Sequence, residues 1–228
     1  MVEAAASPVR GLALVGLLLC SASLWMLCLQ QFFRAAAMAF FQQWLPTFLR
    51  ESRHLSISEA GLFSSCAAGG AFLGGLLGGF CSDWLLTRTG NRWLSRQGIA
   101  VFGMLSCALL IVAAYYAADR YLAIACITLG AFIATFGGVS GYTVAIELGG
   151  RHVATVFSVM NTSGNIGAAL FPWLVGVVVD RAGNWDSILF LCAGVFVVDG
   201  LCWAMLRVRG PIGGPDFITP ARDQRTGS

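Results

Sequence analysis

The sequence predicts an all-α membrane protein with six transmembrane helices. Of its 228 residues, 57% are hydrophobic and only 11% are charged, whereas a soluble globular domain carries roughly 25% charged residues. The mean hydropathy of the chain is +0.77. Six apolar stretches are each long enough, at about twenty residues or more, to cross the hydrocarbon core of a bilayer as a helix.

Short polar loops separate the six predicted spans. The second span follows RESRHLS, where Ser56 or Ser58 suits the N-cap of a helix and Glu59 suits its first turn. The third span ends before ADR, the fourth before ELGGRH and the fifth before DRAGNWD. The predicted spans are residues 22–49, 57–82, 96–117, 121–146, 152–178 and 186–207.

The two ends of the chain differ from this central part. Residues 1–21 predict a linker and a lead-in helix, although the apolar run 11–20 could also extend the first span or contribute to a seventh. Residues 208–228 are rich in proline, glycine and charge, a composition that predicts a disordered tail.

The arginines are distributed unequally between the two sides of the predicted bundle. With six spans, both termini share a side with nine arginines, and four arginines lie opposite. Because positive residues favour the cytoplasmic side, we expect a multi-pass protein of the inner or plasma membrane with both termini in the cytoplasm. The nine on the side of the termini are Arg10, Arg88, Arg92, Arg96, Arg151, Arg207, Arg209, Arg222 and Arg225. The four on the opposite side are Arg50, Arg53, Arg120 and Arg181.

The composition predicts neither a metal site nor a cofactor. Nearly all of the eight cysteines fall inside apolar runs, with no C-x-x-C pair and no histidine at ligand spacing. They are typical of small core residues with free thiols. The arginines lie between apolar segments and form no basic patch, so we expect no nucleic-acid partner.

Glycines recur every four residues in the second span. Gly70, Gly74 and Gly78 form one series, and Gly75 and Gly79 a second. Such a series leaves a smooth stripe on the helix, against which another membrane helix can pack closely. The stripe predicts a packing face, which is also where two helices could move against each other.

The loop after the second span carries a more specific pattern. Gly79-x-x-x-Asp83, followed by Arg88, Gly90 and Arg92, resembles the cytoplasmic loop signature of the major facilitator superfamily. The resemblance implies a conformational latch, in which the acid bonds to a neighbouring helix and to loop arginines. Trp84 departs from the pattern, because a basic residue often follows the acid there. A solvated run of charge is the alternative interpretation.

The resemblance extends over nearly the whole chain. FFRAAAMAFFQQWLPTFLRE, the SD-x-LL-x-RTG loop and GGRHVATVFSVMNTSGNIGAALFP resemble the C-terminal half of the anion:cation symporter family, whose members carry sugar acids and other organic anions with protons. The resemblance implies one half of the major facilitator fold, a six-helix 3+3 inverted repeat. It also implies a missing or separately encoded N-terminal half; a fragment, a split carrier and a homodimer all remain open.

Arg34 lies midway along the first span, where a guanidinium is costly and marks a candidate functional site. Snorkelling or an ion pair with Asp199, the other charge deep in a span, would explain it structurally. The resemblance implies that Arg34 attracts the anion and that Gln31, one turn earlier, contacts hydroxyl groups. It also implies that the last helix is peripheral, which would keep Asp199 away from the central cavity.

Further substrate-binding residues are implied on the fourth and fifth spans. Asn161 and Asn165 are four apart, so a helix places them on one face. Their M-N-x-x-G-N pattern resembles a cavity-facing segment of organic-anion carriers, with Asn165 our candidate for substrate contact; interhelical hydrogen bonding is the alternative. Ser140, Tyr142 and Thr143 are secondary candidates, although hydroxyl groups also bond back to their own helix.

Two other classes of function were weighed. G-V-S-G at residues 138–141 resembles the serine motif of rhomboid intramembrane proteases, but the sixth span lacks the histidine that such an enzyme needs as a base. We therefore expect no enzymatic activity. A non-transporting membrane scaffold or assembly partner derived from a carrier is the remaining alternative to a transporter.

Overall fold

The computed structural model describes residues 16, 18–208 and 210–212. Within these residues, all of the regular secondary structure is helical. The predicted lead-in helix before residue 16 and the predicted tail after residue 212 lie outside the described residues.

Eight α-helices follow one another along the described chain. A π-helical turn, Phe40–Trp44, joins α1 to α2, a second one, Leu94–Gly98, precedes α4, and a 3₁₀ turn, Gly150–His152, joins α6 to α7. The helices are α1 Ala22–Ala39, α2 Leu45–Glu51, α3 Ile57–Thr89, α4 Ile99–Tyr116, α5 Arg120–Gly138, α6 Ser140–Gly149, α7 Val153–Ala182 and α8 Ser187–Met205.

Five helical stretches are long and apolar enough to cross a membrane. One of them, Arg120–Ala182, has 63 residues and contains both the fourth and the fifth span predicted from the sequence. The other four are Ala22–Glu51, Ile57–Thr89, Leu94–Tyr116 and Ser187–Met205. The chain is therefore a helical protein with several candidate membrane spans, and the count differs from six because no loop interrupts the run from α5 to α7.

Polar side chains cap the helices where the sequence leaves the bilayer. Ser56 and Glu59 form a capping box at the start of α3, with the Glu59 amide donating to Ser56 Oγ at 3.2 Å and the Ser56 amide donating to Glu59 Oε2 at 3.0 Å. Asp119 Oδ1 accepts from the Leu122 amide at 2.8 Å and caps α5. These bonds satisfy backbone amides that the helix itself leaves free.

The helices pack in pairs: α3 against α5, α4 against α5 and α8, α1 against α7 and α8, and α6 against α7. Glycine sets the separation of several pairs. A Cβ atom at Gly74 would lie 2.1 Å from the Phe132 carbonyl oxygen, and one at Gly78 would lie 2.1 Å from that of Phe136. The glycine series of α3 is thus a face on which the backbones of α3 and α5 touch.

The first prediction concerns this face. Gly78→Ala places a methyl group against the backbone of α5, so it should destabilise the fold by about 1–3 kcal/mol. The measurement is the midpoint of thermal unfolding of the purified chain in detergent, which should fall. Gly69→Ala is the matched control on the same helix, because nothing lies within 4 Å of a Cβ atom there. Equal midpoints for the two variants would show that the contact does not hold α3 to α5.

Candidate functional site

Arg34 and Gln31 form a hydrogen-bonded pair on α1. The Arg34 guanidinium donates to Gln31 Oε1 from Nε at 3.2 Å and from Nη2 at 3.1 Å. The two residues are three apart, which is the spacing that brings side chains together on one face of a helix. Gln31 is 5% exposed, so a buried amide oxygen holds the guanidinium in place.

Tyr142 on α6 completes the surroundings of the guanidinium. Arg34 Nη2 lies 3.4 Å from the Tyr142 hydroxyl oxygen, and the guanidinium carbon lies 5.8 Å from the centre of the tyrosine ring. The ring in turn stacks on Phe157 of α7, with centroids 5.6 Å apart. Arg34 is thus oriented by contacts from two helices, and the aromatic ring adds a cation–π attraction.

A groove opens beside Arg34. It has a volume of about 410 Å³, and its walls come from Arg34, Thr135, Gly138 and Tyr142 together with residues of α3. Gly138 lets the arginine stem pass close to the backbone, because a Cβ atom there would lie 3.2 Å from Arg34 Cδ. Of the ion pairs among the described residues, none involves Arg34. The guanidinium therefore keeps its positive charge available to the groove.

The two predicted asparagines lie on α7, close to the Arg34–Gln31 pair. Asn161 is half-buried and Asn165 is exposed, and neither amide makes a hydrogen bond within the part of the chain that the structure describes. Between them, a Cβ atom at Gly164 would lie 3.0 Å from Gln31 Cγ. The absence of a side chain at Gly164 thus lets Gln31 approach α7 beside both asparagines.

The predicted hydroxyl residues of α6 lie in different surroundings. Ser140 is 2% exposed and belongs to the core. Tyr142 is 40% exposed, and Thr143 is half-buried. The structure brings Tyr142 directly to Arg34, whereas no recorded contact joins Ser140 or Thr143 to the Arg34–Gln31 pair.

Asp199 on α8 is the other charged residue deep in a span, and it makes no ion pair with Arg34. Its side chain is 0% exposed, and both carboxyl oxygens lack a hydrogen-bond partner among the described residues. The alternative in which an Arg34–Asp199 ion pair explains Arg34 structurally is therefore not the arrangement seen here. The last helix nevertheless packs against α1 and α4, so Asp199 lies inside the bundle.

The predicted latch residues lie at the far end of α3. Asp83 Oδ1 accepts a hydrogen bond from Arg96 Nη1 at 3.0 Å, and Arg96 Nε lies 3.8 Å from Glu147 Oε1 on α6. Arg88 instead stacks on Trp84, with its guanidinium carbon 5.9 Å from the ring centre. Arg96 thus links α3 to α6, whereas the resemblance implied bonds to Asp83 from the loop arginines Arg88 and Arg92.

The remaining latch candidates lie around this ion-pair network. A Cβ atom at Gly79 would lie 4.0 Å from a methyl group of Val139, an ordinary contact. Arg92 borders a groove of about 390 Å³ together with Arg96 and Glu147. These two residues accordingly make no direct bond to Asp83 among the described residues.

Sequence reasoning missed the buried serines beneath the latch. Ser82 Oγ accepts from Arg96 Nη1 at 2.7 Å and donates to the Ser95 carbonyl oxygen at 2.8 Å. Ser95 Oγ also donates to the Ser82 carbonyl oxygen. The sequence contains one signal for this cluster. A serine directly precedes a charged residue on each side of the loop, at Ser82-Asp83 and at Ser95-Arg96.

These helices and their buried polar contacts define a multi-pass membrane protein. A sequence model of the Major Facilitator Superfamily matches residues 27–223. The match covers most of the chain, so the chain belongs to this superfamily. The resemblance seen in the Asp83 loop is confirmed at that level.

Several relatives carry transporter names. The probable galactarate/D-glucarate transporter GudP of Escherichia coli K12 is 32% identical over 151 residues, which cover 66% of this chain and 33% of the relative. The probable sulfoacetate transporter SauU of Cupriavidus necator is 22% identical over 193 residues, which cover 85% of this chain and 45% of the relative. The hexuronate transporter of Bacillus subtilis is 27% identical over 187 residues, which cover 81% of this chain and 44% of the relative. The chain thus spans less than half the length of these relatives.

The second prediction tests the Arg96 network. Arg96→Ala removes the bonds to Ser82 and Asp83 and leaves the buried Ser82 hydroxyl without its charged donor, so it should cost about 1–3 kcal/mol of stability. The midpoint of thermal unfolding in detergent should fall accordingly.

Arg88→Ala is the matched control for Arg96→Ala. Arg88 is an exposed arginine that touches an exposed ring, and such surface substitutions usually change stability by no more than about 0.5 kcal/mol. If Arg88→Ala destabilises the chain as much as Arg96→Ala does, Arg96 is not the residue that joins α3 to α6.

Proposed function

We propose that the chain forms the C-terminal six-helix half of a secondary active transporter that carries a sugar acid or a related organic anion together with a proton. One observation carries the proposal. A guanidinium lies in the middle of a membrane-spanning stretch, is oriented by Gln31 and Tyr142, and faces a groove with no carboxylate bonded to it among the described residues. A positive charge kept unpaired at such cost is a means of attracting an anion.

The five apolar stretches correspond to six membrane crossings, because one of them is long enough for two. The run Arg120–Ala182 has 63 residues and would be about 95 Å long as one straight helix, roughly three times the thickness of a hydrocarbon core. Gly150 interrupts it with φ 47° and ψ −117°. We therefore count α5 with α6 as one crossing and α7 as the next.

Contacts with α1 support this count. Along α6, Gly141 packs near Gln30 and the preceding Gly138 packs near Arg34, so α6 runs antiparallel to α1. Along α7, Ser163 bonds to the Cys28 carbonyl oxygen and Gly167 packs against that of Phe32, so α7 runs parallel to α1. Helices that run in opposite directions on either side of Gly150 are separate crossings.

The polar face around Arg34 supports a second half as the partner. Asn165 is exposed along a stretch of membrane-spanning length and makes no hydrogen bond among the described residues, so hydrocarbon would leave its amide unsatisfied. Tyr142 is exposed on the same side as Arg34, which its hydroxyl contacts. In transporters built from repeats, substrate sites lie between two such halves near the midplane. The N-terminal six-helix half, whether on the same chain or separate, would cover this face and close the groove.

The proposed site and the names of the relatives both support this substrate class. Arginine suits a carboxylate, and the amides of Gln31, Asn161 and Asn165 and the hydroxyl of Tyr142 suit the hydroxyl groups of a sugar acid. Ser140 and Thr143 would have a secondary role in substrate binding, because they lie on α6, the helix that carries Tyr142. The relatives are named for galactarate and D-glucarate, hexuronate and sulfoacetate, which are all organic anions.

The distribution of arginines supports a proposal for the location of the chain in the cell. We propose an inner or plasma membrane location with both termini in the cytoplasm, supported by the nine-to-four distribution of arginines. The Asp83–Arg96–Glu147 network would then lie on the cytoplasmic side and hold one conformation of the carrier. The transporter names of the relatives favour this function over a non-transporting scaffold and over an enzyme.

The third prediction tests the anion site in the complete carrier to which this chain contributes. Arg34→Ala removes a charge-assisted bond to the substrate worth about 1.5–3 kcal/mol, so the KM for D-glucarate or galactarate should rise roughly ten- to a hundredfold. The measurement is uptake of the labelled acid into proteoliposomes under an imposed pH gradient.

Two controls accompany the uptake measurement. Arg50→Ala changes an exposed arginine at the end of α2 and should leave KM unchanged. Collapse of the pH gradient with a protonophore should abolish accumulation of the acid. Full uptake and unchanged KM in Arg34→Ala would remove Arg34 from the substrate path, and accumulation without the gradient would contradict proton coupling.

A further inference from the structure

Asp199 is a buried acid that the proposed anion site does not use. It lies in the middle of α8 with 0% exposure, and both of its carboxyl oxygens lack a hydrogen-bond partner among the described residues. Native proteins pair nearly all of their buried polar atoms. A carboxyl group left unpaired inside a membrane-spanning bundle therefore requires a functional explanation.

The packing of α8 places Asp199 at the depth of the middle of α1. The two helices run antiparallel: Ser23 Oγ donates to the Arg207 carbonyl oxygen at one end, and Cys192 Sγ lies 3.8 Å from the Ala37 carbonyl oxygen towards the other. Asp199 falls between these two contacts, midway along the shared length. The acid is therefore level with the part of α1 that carries the guanidinium.

Met104 of α4 reaches both the surroundings of Arg34 and the residue next to Asp199. A Cβ atom at Gly138 would lie 3.2 Å from Arg34 Cδ and 3.6 Å from Met104 Cε, so both side chains reach the same point of α5. A Cβ atom at Gly200, next to Asp199, would lie 3.5 Å from Met104 Cβ. A methionine side chain is flexible and can rearrange at low cost, so Met104 can give way when Arg34 moves.

Arg34 is the cation within the apolar spans that lies at the depth of Asp199. The other titratable groups near the acid are the thiols of Cys107 on α4 and Cys202 on α8 itself. Segment 94–98 and α7 also touch α8; their charged residues are Arg96, which bonds to Asp83, and Asp180 and Arg181 at the C-terminal end of α7. Neutral thiols cannot compensate a carboxylate, so the charge state of Asp199 depends on how near Arg34 comes.

Two further polar groups beside Asp199 are also unpaired. Gln30 Oε1 and Trp203 Nε1 are buried without a hydrogen-bond partner in the described chain, and a Cβ atom at Gly141 would lie within 4 Å of both side chains. Trp203 follows Asp199 by four residues, one helical turn. The three groups form a polar region inside the bundle that ordinary apolar packing would not produce.

We propose that Asp199 is a proton-binding site that exchanges its proton for an ion pair with Arg34. In the arrangement described here, Arg34 bonds to Gln31 and Tyr142, and the lone carboxyl group is neutral because an isolated carboxylate in an apolar interior is strongly unfavourable. When Arg34 turns towards Asp199, the carboxyl O–H bond breaks and the proton passes to water in the groove. The carboxylate then pairs with the guanidinium.

This exchange rests on the proposed function and supplies its coupling. An anion that occupies Arg34 keeps the guanidinium away from Asp199, so the acid takes up a proton. When the anion leaves, Arg34 exchanges between Gln31 and Asp199, and the chains in which it pairs with the acid release the proton. One proton therefore accompanies each negative charge that Arg34 holds.

The fourth prediction tests the proton site on the full 228-residue chain in lipid nanodiscs, without any transport measurement. Infrared spectroscopy of the chain with isotope-labelled aspartate reports the carbonyl stretch of a protonated carboxyl group. We expect this band at neutral pH, and we expect Asp199→Asn to abolish it. Asp180→Asn, at an exposed position of α7, is the matched control and should leave it unchanged. A wild-type spectrum identical to that of Asp199→Asn would overturn the proposal.

Two further variants test the exchange with Arg34. Arg34→Ala removes the cation that favours the carboxylate, so the band should persist to higher pH. Gln31→Leu removes the acceptor that holds Arg34 away, so the band should disappear at lower pH than in the wild type. A band that titrates identically in all three chains would overturn the exchange.

Galactarate distinguishes this proposal from the proposed function. Added to the complete carrier at neutral pH, it should increase the amplitude of the Asp199 band. If galactarate fails to bind while the band and its two shifts are observed, the proton site stands and the assignment of sugar acids as substrates fails.

Discussion

The helices of this protein are held together where glycine lets two backbones touch. In a bilayer the lipid tails are as apolar as the helix surfaces, so burial of apolar side chains gives little drive for association, and close packing takes its place. Gly74 and Gly78 bring α3 against α5, Gly103 packs on Gly137 between α4 and α5, and Gly167 brings α7 against α1. These contacts fix the distances between helices and, with them, the positions of the polar groups that reach from one helix to another.

Arg34 depends directly on this packing. Its stem passes over Gly138, and its partner Gln31 rests against Gly164, so a side chain at either glycine would displace the guanidinium. The same close approach leaves the charge at the edge of the bundle, beside a groove, where water and an anion can reach it. Asp199, by contrast, is fully buried in the arrangement described here. The bundle thus gives two ionisable groups at one depth very different access to water.

Much of the fold could be predicted from the sequence, because membrane helices are defined by local hydropathy and the superfamily by local motifs. The all-helical membrane class and the superfamily are confirmed. The contact between Gln31 and Arg34 follows from helical spacing. The partner of Asp83 could not be predicted, since Arg96 reaches it only through the packing of segment 94–98 against α3. The burial of Asp199 depends likewise on contacts of α8 with α1 and α4, which no spacing along one helix encodes.

The π-helical turn Phe40–Trp44 has a consequence for how the sequence of this helical stretch can vary. A π turn takes up one residue more than an α turn, so α2 is rotated about its axis relative to α1. Side chains beyond the turn therefore point in other directions than they would if the 3.6-residue periodicity of α1 continued without interruption. Loss or gain of a single residue within Phe40–Trp44 would turn a different set of α2 side chains towards neighbouring helices and leave Arg34 where it is. The position of Arg34 can in this way stay the same while the contacts made by α2 change.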